Sequence, residues 1–168
     1  MRHCLLLIVA VGIVPTGLGC APRNSDGPER AAAAETSQAA EALQKKDWDR
    51  GIAHCNIALQ LDPAHVSALW MRGLAYLKKH EPDKAIADLT EAIRLDAGYA
   101  PAHQVRGEAY AEKKEFSKAV ADLSEYLRLR PKDAEVYQLR GDAYLQQGNQ
   151  AAADADFRKA RELKSGGK

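Results

Sequence analysis

Cysteine is scarce in this chain, with three in 168 residues, and Cys4, Cys20 and Cys55 show neither metal-site nor redox spacing. A disulfide framework is excluded as the basis of the fold. Charge of one sign is missing as well: Lys+Arg 24 stand against Asp+Glu 23, a net charge of +1. With no basic stripe interleaved with aromatics, nucleic acid is not an expected partner. Aromatics make up 6% of the residues. Catalytic motifs are lacking too. There is no phosphate-cradling glycine loop, no nucleophile elbow and no zinc-protease helix, since "HEP" at 80–82 runs into a proline. His54 and Cys55 are adjacent, but neighbours on a helix point about 100° apart and do not make a nucleophile–base pair. No cofactor and no metal is expected, and the chain reads as a non-enzyme.

Long apolar runs are confined to the beginning. "MRHCLLLIVAVGIVPTGLGC" has Arg2, an apolar stretch from Cys4 to Val14, a break at Pro15 and then small residues, the order of a secretory leader. That stretch falls short of the roughly 20 apolar residues a membrane-spanning helix needs. Its end, "GLGC", resembles the lipobox of bacterial lipoproteins, with Leu18 one place later than the leucine of that motif. The resemblance implies a signal peptide over 1–19, a lipid on Cys20, and attachment to the bacterial cell envelope facing the periplasm or outside. In lipoproteins an aspartate after the cysteine often marks inner-membrane retention, so Ala21 favours the outer membrane where the cell has one. Residues 20–31, with two prolines and no apolar periodicity up to Arg30, read as a lipidated cysteine and flexible linker.

Beyond the linker the chain repeats itself. "RGLAY" at 72–76 returns as "RGEAY" at 106–110 and "RGDAY" at 140–144, a period of 34 residues. The same shift aligns Ala85, Ala119 and Ala153, then Leu89, Leu123 and Phe157 with Cys55, then Leu61, Leu95, Leu129 and Leu163. Each unit carries two amphipathic stretches of helical period, and neither helix buries its apolar face alone. A glycine inside a helix costs about 1 kcal/mol relative to alanine, so its return at one period signals a steric demand. Close approach of Gly73 to Ala85, Gly107 to Ala119 and Gly141 to Ala153 is the expected reason. Arg72, Arg106 and Arg140 recur together with Asp88, Asp122 and Asp156, while the first unit has Gln38 and His54 in their places. This joint presence and absence predicts ion pairs within or between units, against the alternative of two solvated columns.

These columns are those of the tetratricopeptide repeat, and the sequence is similar to that family over 32–164. The resemblance implies an all-α fold: four helical hairpins (32–65, 66–99, 100–133, 134–164) stacked as a right-handed solenoid, with 165–168 a disordered tail. In the last unit Asp154 and Arg161 replace apolar residues of the inner units. That pattern predicts a capping helix and a complete array.

In the resembled family the first helices line a concave groove that holds peptides. Carried onto this sequence, the groove positions are Leu43 in the first unit, Trp70, Leu74 and Leu77 in the second, Gln104, Glu108 and Glu112 in the third, and Glu135, Gln138 and Asp142 in the fourth. One end is apolar and the other acidic. Trp70 lies either exposed in the groove or tucked between the first two hairpins, and the acidic residues either select a basic segment or are merely solvated. The expected function is a scaffold that binds a protein or peptide partner and supports assembly of a larger complex. The alternative is a self-association module, a homo-oligomer without a separate ligand.

Overall fold

The computed structural model describes residues 27–166. The signal peptide, Cys20 and most of the linker expected from the sequence lie outside the described residues. Eight helices follow in order: α1 (Pro28–Gln44), α2 (Trp48–Leu61), α3 (Val66–Lys78), α4 (Pro82–Leu95), α5 (Ala100–Glu112), α6 (Phe116–Leu129), α7 (Ala134–Gln146) and α8 (Gln150–Ser165). Helix α1 starts within the stretch expected to be linker, because Pro28 supplies a helix-compatible φ at the first turn. Helix α8 runs on through Ser165, into the expected tail. None of the described helices is long and apolar enough to cross a membrane.

Chemistry at the turns explains where the helices break. Lys46, His80 and Lys114 take left-handed φ values of 59°, 59° and 61°, and Gly148 takes 77° at the equivalent place. At each, amides reach back to close the preceding helix: His80 N donates to Leu77 O, and Glu81 N to Tyr76 O. Asp47, Asp133 and Asn149 then cap the helices that follow, accepting from Arg50 N, Val136 N and Ala152 N respectively.

Consecutive helices pack as antiparallel hairpins, and each hairpin stacks on the next. Odd-numbered helices also touch one another across the repeat boundaries, α1 with α3, α3 with α5 and α5 with α7; even-numbered helices do not. The array therefore closes on the odd-helix side, and that side is the concave face.

The close approach expected of the repeated glycines is found at Gly73 and Gly107, which meet the backbone carbonyls of Ala85 and Ala119, and a larger side chain presses on each glycine as well. A Cβ on Gly73 would come 2.8 Å from Leu89 Cγ and 3.3 Å from the Ala85 carbonyl oxygen. On Gly107 it would meet Leu123 Cγ at 2.9 Å, and on Gly141 the Phe157 ring at 2.6 Å. The glycine makes room chiefly for the large side chain one turn beyond the alanine, and the alanine contributes its backbone. In the first unit the arrangement is inverted. Ala39 occupies the glycine column, the smaller Cys55 occupies the Leu89 column, and Gly51 occupies the alanine column, where a Cβ would lie 2.7 Å from Leu43 Cδ2.

Ion pairs form in all three units that carry the residues. Arg72 grips Asp88 with two bonds of 2.7 Å, Arg106 grips Asp122 with two of 2.7 Å, and Arg140 grips Asp156 with two of 2.8 Å. The aspartates are buried, so these are not loose surface pairs. The remaining guanidinium nitrogen of each arginine reaches the preceding repeat: Arg72 to Asn56 Oδ1, Arg106 to Thr90 Oγ1 and Arg140 to Ser124 Oγ. Each arginine thus ties its own hairpin shut and fastens it to the one before. Burial alone would raise the Asp122 carboxyl, but bonds from Arg106 and His103 outweigh it and hold the group below its usual range.

Candidate binding groove

The concave face begins as a trough between α1 and α3. Its floor is a depression of about 320 Å³ lined by Ala40, Leu43, Gln44, Trp70, Met71 and Leu74. A second depression of about 250 Å³, sharing Ala40 and Met71, continues toward Ala33, Ser37 and Ser67. No Lys, Arg, Asp or Glu lines either one. Helical spacing explains the convergence: Trp70 and Leu74 stand one turn apart on α3, as Ala40 and Leu43 do on α1. Leu43 is held in place by Gly51, since any larger residue there would drive into its methyl group.

Trp70 takes both of its expected places at once. One side of its ring packs on the cluster built around Leu69, Leu89 and Val105, meeting Tyr99 edge-on with centroids 6.1 Å apart. The other side forms the trough wall. Its indole Nε1 is buried and has no hydrogen-bond partner. Leu74 and Leu43 are half-buried in the same wall. Leu77 is a correction: at 5% exposure it belongs to the core cluster and does not line the groove, because it points at the α4 and α5 side of α3.

Further along, the face becomes acidic and its residues take different surroundings. Glu108 accepts from Gln104 Nε2 at 3.1 Å. Glu112 is exposed and reaches His80 Nδ1 in the turn between α3 and α4, at 3.0 Å. Asp142, exposed on α7, makes no hydrogen bond or ion pair among the described residues. Gln138 accepts from Lys164 Nζ at 2.8 Å. Glu135 departs from the groove: it lines a separate cavity of about 680 Å³ at the turn between α6 and α7, with Tyr126, Leu129, Pro131 and Lys164. In that turn Tyr126 donates its hydroxyl to Asp133 at 2.7 Å, and burial with this bond pushes the phenol up to about 12.

Cys55 is fully buried, and desolvation pushes its thiol up to about 12, far from a nucleophilic thiolate at neutral pH. No cluster of three or more metal-ligating side chains occurs among the described residues.

Two features escaped the sequence reading. Lys113 Nζ reaches Asp83 at 2.5 Å across the boundary between hairpins, Lys79 reaches Asp49 in the same way, and Gln147 reaches Ser117 at 3.3 Å. The short polar residues that accept from the arginines, Asn56, Thr90 and Ser124, were a visible column at the same 34-residue period. Their signal was present but chemically mixed.

Comparison with known families returns a tetratricopeptide repeat model over residues 36–100, another over 134–165, and a TPR repeat model over 107–148. No curated protein matches the chain. Among solved structures, a crystal structure of MamA superposes with a TM-score of 0.76 at 24% identity, covering 80% of this chain and 79% of that one. MamA residues 41 to the end from Desulfovibrio magneticus RS-1 give 0.75 at 20% identity, covering 81% and 77%. The first TPR of Spaghetti (RPAP3), bound to the HSP90 peptide SRMEEVD, gives 0.69 at 19% identity, covering 71% and 98%.

Proposed function

Since the chain belongs to the tetratricopeptide repeat family, we propose that it is a non-catalytic scaffold whose concave groove holds a segment of a partner protein, in support of assembling a larger complex. The observation that carries this reading is the uncharged trough formed by Leu43, Trp70, Met71 and Leu74. An aromatic flanked by aliphatic side chains, open on one side and packed on the other, is the composition of an interface hot spot. One superposed relative, the first TPR of Spaghetti, is described as binding a peptide, which supports the use of this architecture for that purpose.

The scaffold sits, in this proposal, on the bacterial cell envelope through a lipid on Cys20, facing the periplasm or outside, with Ala21 favouring the outer membrane. The leader and its terminal cysteine support this placement. Exchange of Cys20 for alanine should release the protein from the membrane fraction; full retention would refute lipid anchoring at that residue.

Affinity capture tests the groove. The full-length chain in mild detergent, immobilised and exposed to native envelope extract, should retain partners that a Trp70→Ala, Leu74→Ala variant of equal helical content loses. Equal retention by both would remove the groove from consideration. Self-association is the competing reading, and Ile57 and Leu61, exposed one turn apart on α2, are the observation in its favour. Concentration-dependent sedimentation of the purified chain decides between them.

A further inference from the structure

We infer that the groove, if it is a binding groove as proposed above, takes an extended polypeptide segment with a bulky apolar residue at one end and a lysine or arginine about six residues away. The apolar residue enters the Leu43/Trp70/Leu74 depression. The cation lies over Glu108 and Asp142.

The polarity of the face supports this. From α1 to α3 the groove positions carry no charge except Lys78 at the exposed end of α3, whereas α5 and α7 present Glu108, Glu112 and Asp142. Glu112 is taken up by His80, but cations elsewhere on α5 and α7 do not neutralise Glu108 and Asp142. Arg106 is committed to Asp122 and Thr90, and Arg140 to Asp156 and Ser124. Lys113, just past α5, is taken up by Asp83 and Glu115. Glu108 has only the neutral amide of Gln104, and Asp142 has no bonded partner among the described residues. A half-buried carboxylate and an exposed one at the same register of neighbouring helices, with no cation bonded to either, attract a basic group and repel an acidic one.

The apolar depression is an independent observation. It is walled by side chains without charge, and the Trp70 indole N–H is left without a partner beside it. A methylene-rich or aromatic side chain placed there removes apolar surface from water, while a charged one would be desolvated without compensation.

Spacing joins the two features. Glu108 and Asp142 hold the same register on neighbouring helices, and the depression lies two helices back along the array. Packed helix axes are about 8–10 Å apart, so the two sites are separated by about 16–20 Å, which an extended chain spans in roughly five or six residues. A short acidic tail would meet carboxylates where it needs cations.

The test uses the full-length chain carrying Trp48→Phe, which leaves Trp70 as the sole indole reporter. Synthetic peptides present one leucine, a five-residue uncharged spacer and two arginines; the controls replace the arginines by glutamates, the leucine by alanine, or shorten the spacer to two. The expected result is a shift in Trp70 emission, with the arginine peptide binding about tenfold or more tighter than the glutamate peptide and weakening with added salt. The variant with both Glu108→Lys and Asp142→Lys should invert that preference. Equal or stronger binding of the glutamate peptide, or a preference unmoved by the charge reversal, overturns the basic assignment while leaving the groove intact, because Trp70 still responds. Silence of Trp70 toward every peptide overturns the inference as a whole. In that case, extract capture that remains sensitive to Trp70→Ala, Leu74→Ala keeps the groove reading, and insensitivity ends it too.

Discussion

Gly107→Ala should have opposite effects on stability in two backgrounds. Alanine gains about 1 kcal/mol of helix propensity over glycine in a helix interior. At this site, however, the new Cβ would stand 2.9 Å from Leu123 Cγ and 3.0 Å from Cδ2, where optimal carbon contacts are about 3.5–4.0 Å. Leu123 is 1% exposed and the clash is with its branch carbon, so the side chain cannot swing away and the hairpin must open. Overpacking of this kind costs about 1–3 kcal/mol, leaving a net destabilisation of up to about 2 kcal/mol after the propensity gain. In a Leu123→Ala background the obstacle is gone and the same exchange should stabilise by about 1 kcal/mol. The first unit carries the compensated combination in the same two columns, Ala39 with Cys55, both fully buried. Urea denaturation followed by far-ultraviolet circular dichroism, on the four members of the cycle, measures the coupling. The same sign of effect in both backgrounds would refute the steric account of the repeated glycines.

Arg106→Met should destabilise by about 3 kcal/mol, because it strands a buried carboxylate; Arg106→Met combined with Asp122→Leu should cost less than the sum of the single changes in the same denaturation assay. Since the Asp122 carboxyl is held below its unfolded value of about 3.9, the stability it contributes is complete above about pH 4 and is lost as the pH falls through the lower folded value. Acid titration should therefore show the wild type losing stability more steeply than Asp122→Asn below that pH. Lys114→Gly relieves a left-handed φ of 61° and should stabilise by about 0.5–1 kcal/mol, with no change in the m-value. In a Cys4→Ser, Cys20→Ser background, Cys55 should resist a thiol reagent at neutral pH in the folded protein and react fully once urea unfolds it; rapid native labelling would contradict its burial.

The solenoid was legible in the sequence because the same steric problem is solved several times at one spacing. Glycine, tyrosine and the Arg–Asp columns all recur at 34, and coincidence at that period is improbable for unrelated positions. What the period could not reveal is direction around a helix. Leu77 sits one heptad after Trp70, so spacing alone placed it on the groove, yet it is buried among residues of α4 and α5. Glu135 was lost to the groove for a related reason: at the first turn of α7 it faces the turn between α6 and α7 rather than its neighbours. That the glycines make room for Leu89, Leu123 and Phe157 as well as for the alanine backbone was not legible, because both spacings recur along the chain and only the backbone course separates them. Links such as Lys113 to Asp83 do recur at 34, with Lys79 to Asp49 before and Gln147 to Ser117 after, but the pairing joins two columns 30 residues apart whose chemistry changes from charged to neutral in the last unit.

The arginine fork has a mechanical meaning. Arg72, Arg106 and Arg140 each hold two successive hairpins with side chains of fixed length, so every junction of the described array is pinned at the same offset. Bending the array around a guest would require stretching these charge-assisted bonds, 2.7, 3.1 and 3.0 Å long, at all three junctions. The concave face therefore measures its guest as a ruler does, by the distance between graduations, and a ligand with the right groups at the wrong separation is refused by geometry rather than by chemistry.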